Sequence, residues 1–271
     1  MKEIKEYVKD KKIELKEKFD SFKEKYDIEP SLVIVQIGDN DASNTYIRGK
    51  IKDSNELNVK ATHLKYETMT EGELLSLIDK LNNDKDVHGV LVQLPLPKNI
   101  SEEKVKRRIS PLKDVDGFNE YSTVVPCTPM GIITYLKEEN VLIQGKNALV
   151  IGRSNIVGLP MAKCLLDANA SVTIVHSKTP LSELKDYVKK ADIIVSATGK
   201  YKMLDSTFEF KSDAILIDVG MNRDEEGKLC GDLEKGLPVK FQSPVPGGVG
   251  LLTRVSIFTN LLKLMNENLN K

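Results

Sequence analysis

Short apolar segments alternate with amphipathic ones along nearly the whole chain, and the alternation runs through two rounds. In the first, "SLVIVQIG" (31–38), "KATHLKYE" and "VHGVLVQLPLP" (87–97) have strand length and apolar content. Between them lie "SNTYIRGKIKDSNELN" and "TEGELLSLIDKLNND", spaced as helices. Strands that alternate with helices close as a parallel sheet with right-handed crossovers. The pattern restarts after residue 120, with "PMGIITYLKEEN", "GLPMAKCLLDAN" and "SELKDYVKK" as helices and "NALVIG", "SVTIVHS", "ADIIVSATG" and "DAILIDVG" as strands. The expected fold class is therefore α/β and two-lobed: an N-terminal parallel α/β lobe over residues 1–120 and a second α/β lobe over 121–251.

Flanking segments read as helices. The opening stretch places Ile4, Val8, Leu15, Phe19, Phe22 and Tyr26 on one inward stripe before Pro30 ends it. Acidic residues interleave with its lysines, which marks a solvated outer face rather than a transit peptide. Ser43 or Asn44 can cap the helix that follows the first strand, and Thr70 with Glu73 forms a capping-box signature. "VSIFTNLLKLMNENL" reads as a final amphipathic helix after a glycine-rich turn.

Composition narrows the function. Forty basic and 40 acidic side chains cancel, so no overall field draws the protein to nucleic acid or to an anionic membrane. Cys127, Cys164 and Cys230 lie far apart without a CxxC pair or a histidine cluster, arguing against a disulfide framework or a metal site. No apolar run reaches the roughly 20 residues of a membrane span, and no signal-peptide core opens the chain. A cytoplasmic protein is expected.

"ALVIGRSNIVGLP" (148–160) has the order strand, turn, helix that brings backbone N–H groups and the positive helix end to a pyrophosphate. Gly152 makes the turn and Gly158 lets the helix lie close to the sheet. Ser154 stands where the fingerprint GxGxxG has its middle glycine, and its small side chain can donate to phosphate. The next strand ends in "VHSKT" without the carboxylate that holds an NAD ribose. Arg153, Ser177 and Lys178 can instead bond a 2′-phosphate, so NADP is the expected cofactor. The bland alternative leaves Arg153 and Lys178 as solvated loop charges.

Tyr46 and Lys50 share one helical face; alone, that spacing signifies packing and a surface charge. Other segments change the weighting. Gln93 stands at a strand's C-terminal end, where open α/β sheets bind ligands. "KDVDGF" sets Asp114 and Asp116 beside Gly117, and "SPVPGGVG" brings three glycines that permit close backbone approach to a flat ligand.

Taken in order, "YIRGK", "GVLVQLPLP", "DVDGF", "PCTPMGI", "VIGRSNIVGLPMA", "VHSKT", "IDVGMN" and "PVPGGVG" resemble the bifunctional methylenetetrahydrofolate dehydrogenase/methenyltetrahydrofolate cyclohydrolase family. The resemblance implies oxidation of 5,10-methylenetetrahydrofolate with NADP, then hydrolysis to 10-formyltetrahydrofolate. It implies a catalytic set of Lys50, Tyr46, Gln93 and Asp116, with Lys50 the catalytic lysine, Gln93 tuning it and Tyr46 shaping the folate pocket. Asp116 would bind the amino-pyrimidine edge of the pterin. Leu94, Pro95, Pro246, Gly247 and Gly248 would complete the substrate site. Gly152, Arg153, Ser154, Ser177, Lys178 and Met221 would hold NADP. It further implies a cleft between the lobes, a Rossmann-type second lobe, a last helix (252–271) returning to the first lobe, and a homodimer. Three departures stand out: only seven residues separate "DVDGF" from "PCTP", "LLTR" follows "GGVG" where the family has Pro and Met, and Leu159 replaces a basic residue. The rivals are a monofunctional dehydrogenase, a shikimate-like NADP dehydrogenase and a non-catalytic NADP sensor.

Overall fold

A computed structural model describes residues 1–269, apart from the side chain of Ala42. The chain divides into two compact units: Lys9–Cys127 with the chain from Arg254 onward, and Thr128–Thr253 with Met1–Val8.

The first of these units holds most of helix α1 (Ile4–Tyr26), then β1 (Ser31–Ile37), α2 (Asp41–Glu56), β2 (Lys60–Tyr66), α3 (Glu71–Asn83), β3 (Gly89–Val92) and α4 (Glu102–Arg108). Its sheet has the order β2-β1-β3, with every pair parallel. Central β1 is buried at each residue, which is why "SLVIVQI" is apolar without alternation. Val33, Val35, Val90 and Val92 pack against Leu74 and Ile78 of α3 in one core.

Several local expectations are met and others shift. Thr70 and Glu73 form the capping box. Helix α2 begins earlier than its sequence suggests, so its cap is Asn40, whose side chain accepts from Ser43 N at 3.0 Å, and not Ser43 or Asn44. Strand β3 ends at Val92, before prolines that have no N–H for a ladder. On α1, Ile4, Val8, Leu15, Phe19 and Phe22 are buried, but Tyr26 is 37% exposed and sets its ring beside Phe22. Helix α4 is absent from the sequence reading because its single buried residue, Val105, makes no periodic pattern.

In the other unit, α5 (Cys127–Glu138) leads to β4 (Asn147–Ile151), α6 (Gly158–Asp167), β5 (Ser171–Val175), α7 (Leu181–Lys190), β6 (Ile193–Ser196) and β7 (Ile215–Asp218). A small antiparallel hairpin, β8 (Asn222–Arg223) and β9 (Leu229–Cys230), precedes β10 (Phe241–Gln242) and α8 (Val249–Leu269). The sheet is parallel in the order β10-β7-β6-β4-β5, with β5 at one edge. Met1–Val8 joins this unit because the Tyr7 ring meets Tyr135 edge-on at 4.9 Å and Tyr135 Oη donates to the Lys2 carbonyl. From Arg254 onward α8 packs with the first half of the chain: Asn260 Nδ2 donates to the carbonyls of Val115 at 2.9 Å and Val125 at 3.0 Å. No helix among the described residues is long and apolar enough to cross a membrane.

Candidate active site

Helix α2 presents Tyr46 and Lys50 one turn apart, and Gln93 follows directly on β3, the strand beside β1. Lys50 is 6% exposed. Its ammonium donates to Gln93 Oε1 at 2.8 Å, while Gln93 Nε2 donates to the Leu94 carbonyl at 2.7 Å. That second bond fixes which end of the amide faces the lysine. Pro95 follows Leu94 through a cis peptide and is exposed.

Asp116 sits in the same neighbourhood, on a turn whose shape is set by its buried neighbour. The Asp114 carboxylate accepts from Gly117 N at 3.1 Å and Asn119 N at 2.7 Å. Burial pushes Asp114 up to about 7 against those bonds. Cys127 N donates to the Asp116 carbonyl at 3.3 Å, and its thiol donates to the Val115 carbonyl.

The electrostatics of the cluster follow from desolvation. Burial lowers the pKa of Lys50; Asp116 and Cys127 oppose this, and Arg254 adds to it. Asp116 is raised above the ordinary carboxylate range by the protein around it, although part of its surface is open, and Lys50 and Lys106 pull it back. Tyr46 is half-buried and held protonated by burial. A buried amine with a weakened hold on its proton, one amide acceptor and a nearby carboxyl is equipped for proton transfer.

The second unit carries the loop after β4. Gly152 has φ +118°, and a Cβ there would lie 2.5 Å from the Ala197 carbonyl; at Gly158 a Cβ would meet the Gly152 carbonyl at 2.4 Å. Both glycines are needed for strand, turn and helix to lie this close. Ser154 Oγ accepts from Val157 N at 3.2 Å and Gly158 N at 3.3 Å, so it caps the entry to α6 and keeps its own proton available to an anion. At the C-terminal end of neighbouring β5, the exposed Ser177 and Lys178 lie in a turn closed by Thr179 N on the His176 carbonyl. Arg153 is exposed as well, and no carboxylate stands in this turn. These residues fit a phosphorylated dinucleotide: the positive end of α6 with the Ser154 hydroxyl in front of it, plus cationic and hydroxyl donors one strand away.

Met221, after β7, is 50% exposed. Pro246, Gly247 and Gly248 lie in the turn before α8. The turn has its own need of these glycines: a Cβ on Gly248 would lie 2.1 Å from the Pro244 carbonyl, and Gly247 adopts φ +93°.

Sequence reasoning missed Asp53, Arg254 and Asp232. Asp53 stands three residues beyond Lys50 and is fully buried, and Arg254 of α8 forks onto it at 2.6 Å with both Nε and Nη2. Asp232 is fully buried as well, and accepts from Ser196 at the end of β6 and from Thr198 and Lys200 just after it. A charged residue on the inward face of an otherwise packed helix was the available signal for Asp53.

Two family models match: "Tetrahydrofolate dehydrogenase/cyclohydrolase, catalytic domain" over residues 2–116 and "Tetrahydrofolate dehydrogenase/cyclohydrolase, NAD(P)-binding domain" over 126–269. The chain is 49% identical to the bifunctional protein FolD of Listeria innocua, over 86% of each sequence. Among solved structures, the FolD methylenetetrahydrofolate dehydrogenase/cyclohydrolase of Campylobacter jejuni is 40% identical with a TM-score of 0.93, over 98% of both chains. The enzyme of Trypanosoma brucei, solved with NADP and an inhibitor, is 29% identical with a TM-score of 0.93, over 100% of this chain and 98% of that one.

Proposed function

The chain belongs to the tetrahydrofolate dehydrogenase/cyclohydrolase family, and from that membership and the Lys50 site we propose that it oxidises 5,10-methylenetetrahydrofolate to 5,10-methenyltetrahydrofolate with NADP and hydrolyses the product to 10-formyltetrahydrofolate. The observation that carries the second activity is the buried Lys50 ammonium hydrogen-bonded to Gln93.

Bound NADP would supply the acceptor for the hydride that leaves the methylene carbon. Gly152, Arg153, Ser154, Ser177, Lys178 and Met221 would hold it. Folate nitrogen lone pairs stabilise the cation that forms, so this step asks the protein for orientation rather than for a strong acid or base. Asp116 would take the amino-pyrimidine edge of the pterin through paired N–H bonds, and Tyr46, Leu94 and Pro95 would line the folate site.

Hydrolysis asks for more. Water attacks the methenyl carbon, loses a proton, and a ring nitrogen gains one as its C–N bond opens. Lys50 accepts and returns that proton, because burial weakens its hold on its own and Gln93 Oε1 fixes its direction. A monofunctional dehydrogenase would have no use for this pair.

The test is a spectrophotometric assay with 5,10-methylenetetrahydrofolate and either NADP or NAD. NADP reduction followed by enzyme-dependent loss of the methenyl absorbance supports both activities; reduction without that loss would leave the dehydrogenase alone.

The same resemblance leads us to a cytoplasmic homodimer. β5, at the edge of its sheet with Ile174 40% exposed, is the surface we assign to the second copy. Sedimentation of the purified protein at the monomer mass would refute this.

A further inference from the structure

Three helices meet at one carboxylate. Asp53 of α2 is fully buried and receives the Arg254 fork from α8 at 2.6 Å on each oxygen. Lys12 of α1 also donates to it, and reaches Glu56 at 2.8 Å on the exposed side. The guanidinium lies against Gly49, the residue before Lys50: a Cβ on Gly49 would sit 2.7 Å from Arg254 Nη1 and 2.8 Å from Cζ. Glycine at 49 is therefore what allows an arginine to lie flat on this face of α2.

We propose that Arg254 is a positioning residue for the Lys50 chemistry: forked on Asp53 and laid across Gly49, it fixes the turn of α2 that carries Lys50 and keeps a permanent positive charge beside it. The proposal rests on the reading of Lys50 as the proton-transferring group. A guanidinium does not lose its proton at any working pH, and its planar fork matches a carboxylate in a way an ammonium does not. The charge reaches both Lys50 and Tyr46. The groups facing Lys50 can be named element by element: Gln93 after β3, Asp116 before α5, Cys127 at its start, Tyr46 one turn earlier on α2, and Arg254 from α8. Lys106 of α4 acts on Asp116, and Lys12 of α1 acts on Asp53. Asp116 and the Cys127 thiol favour the protonated amine; Arg254 is the cation set against them.

The experiment compares full-length wild type, Arg254→Met and Arg254→Lys, measuring cyclohydrolase and dehydrogenase kcat between about pH 6 and 9. Removing the guanidinium charge should move the acid limb of cyclohydrolase kcat to higher pH by about half to one unit, with a smaller effect on dehydrogenase kcat. Arg254→Lys keeps the charge and should keep the limb near its wild-type position. Should Arg254→Met fail to fold because it leaves a buried carboxylate short of a partner, Arg254→Gln keeps an N–H donor for Asp53 while removing the charge and supplies the same readout. An unmoved limb in a folded variant, or a parallel fall of both activities without a pH shift, would overturn the proposal, the latter being what a purely structural clamp predicts. Lys50→Met with cyclohydrolase intact would instead remove the Lys50 reading itself, so the two failures are distinguishable.

Discussion

Lys50 and Gln93 form a directed pair: the ammonium donates to the amide oxygen at 2.8 Å, and the amide nitrogen donates onward to the Leu94 carbonyl at 2.7 Å. The lysine arrives on a helix and the glutamine at the end of a strand, so the pair joins the two kinds of element that build the sheet layer. Replacing Lys50 removes the proton carrier but no group needed to orient a hydride. Lys50→Met is expected to lose cyclohydrolase activity by about 100-fold or more, the range of a general acid or base. Dehydrogenase activity should fall far less. Single-turnover assays of methenyl decay and NADP reduction on the same preparation check both.

Gln93→Glu tests the electrostatics. A carboxylate at 2.8 Å from the ammonium favours the protonated amine and raises the pKa that burial has lowered. Lys50 must be neutral to accept a proton, so the acid limb of cyclohydrolase kcat should move to higher pH by about one unit or more, with activity at neutral pH falling about tenfold. A limb that moved to lower pH would contradict the assignment of Lys50 as acceptor. The pH dependence of kcat is the measurement.

Cofactor choice should depend on the end of β5. Ser177 is exposed there beside Lys178, and a carboxylate in this turn would repel a 2′-phosphate while offering an acceptor to a 2′-hydroxyl. Ser177→Asp should raise the KM for NADP by about tenfold or more and lower that for NAD, a change of at least about 1.4 kcal/mol in discrimination. Initial rates with each cofactor decide it.

What could be read in the sequence was what local pattern carries. The strand-helix alternation, the Gly152 turn and the placing of Gln93 at a strand end all depend on neighbouring residues. What could not be read depends on partners far along the chain: Arg254 meets Asp53 across 201 positions, and no periodicity announces that. Ser154 shows an intermediate case. Its place at the loop was legible, but that its hydroxyl accepts two backbone N–H groups at the start of α6 depends on how the turn folds back. Tyr26 looked like the last member of an apolar stripe and lies 37% exposed, because α1 ends there.

Asp232 offers a prediction about stability that the catalytic variants do not. Its Oδ2 accepts from Ser196 Oγ at 2.9 Å, Thr198 N at 2.7 Å and Thr198 Oγ1 at 2.9 Å; its Oδ1 accepts from Lys200 N and Asn222 Nδ2, each at 3.0 Å. The donors are Ser196 at the end of β6, Thr198 and Lys200 in the segment after it, and Asn222 at the start of the β8–β9 hairpin, so one fully buried carboxylate ties the loop after β6 to the hairpin after β7. Asp232→Ala leaves those donors without an acceptor and should cost about 3–5 kcal/mol. A loss of that size lowers the Tm of the unit by roughly 6–20 °C. Asp232→Asn keeps one acceptor oxygen and should cost less, about 1–3 kcal/mol. If the loops at this edge carry Met221 toward the cofactor, the alanine variant should also show a raised KM for NADP while Lys50-dependent methenyl hydrolysis is spared. Thermal unfolding of the three proteins, with cofactor titration below the transition, tests the order; equal Tm values for wild type and Asp232→Ala would show that the carboxylate does not hold the loops.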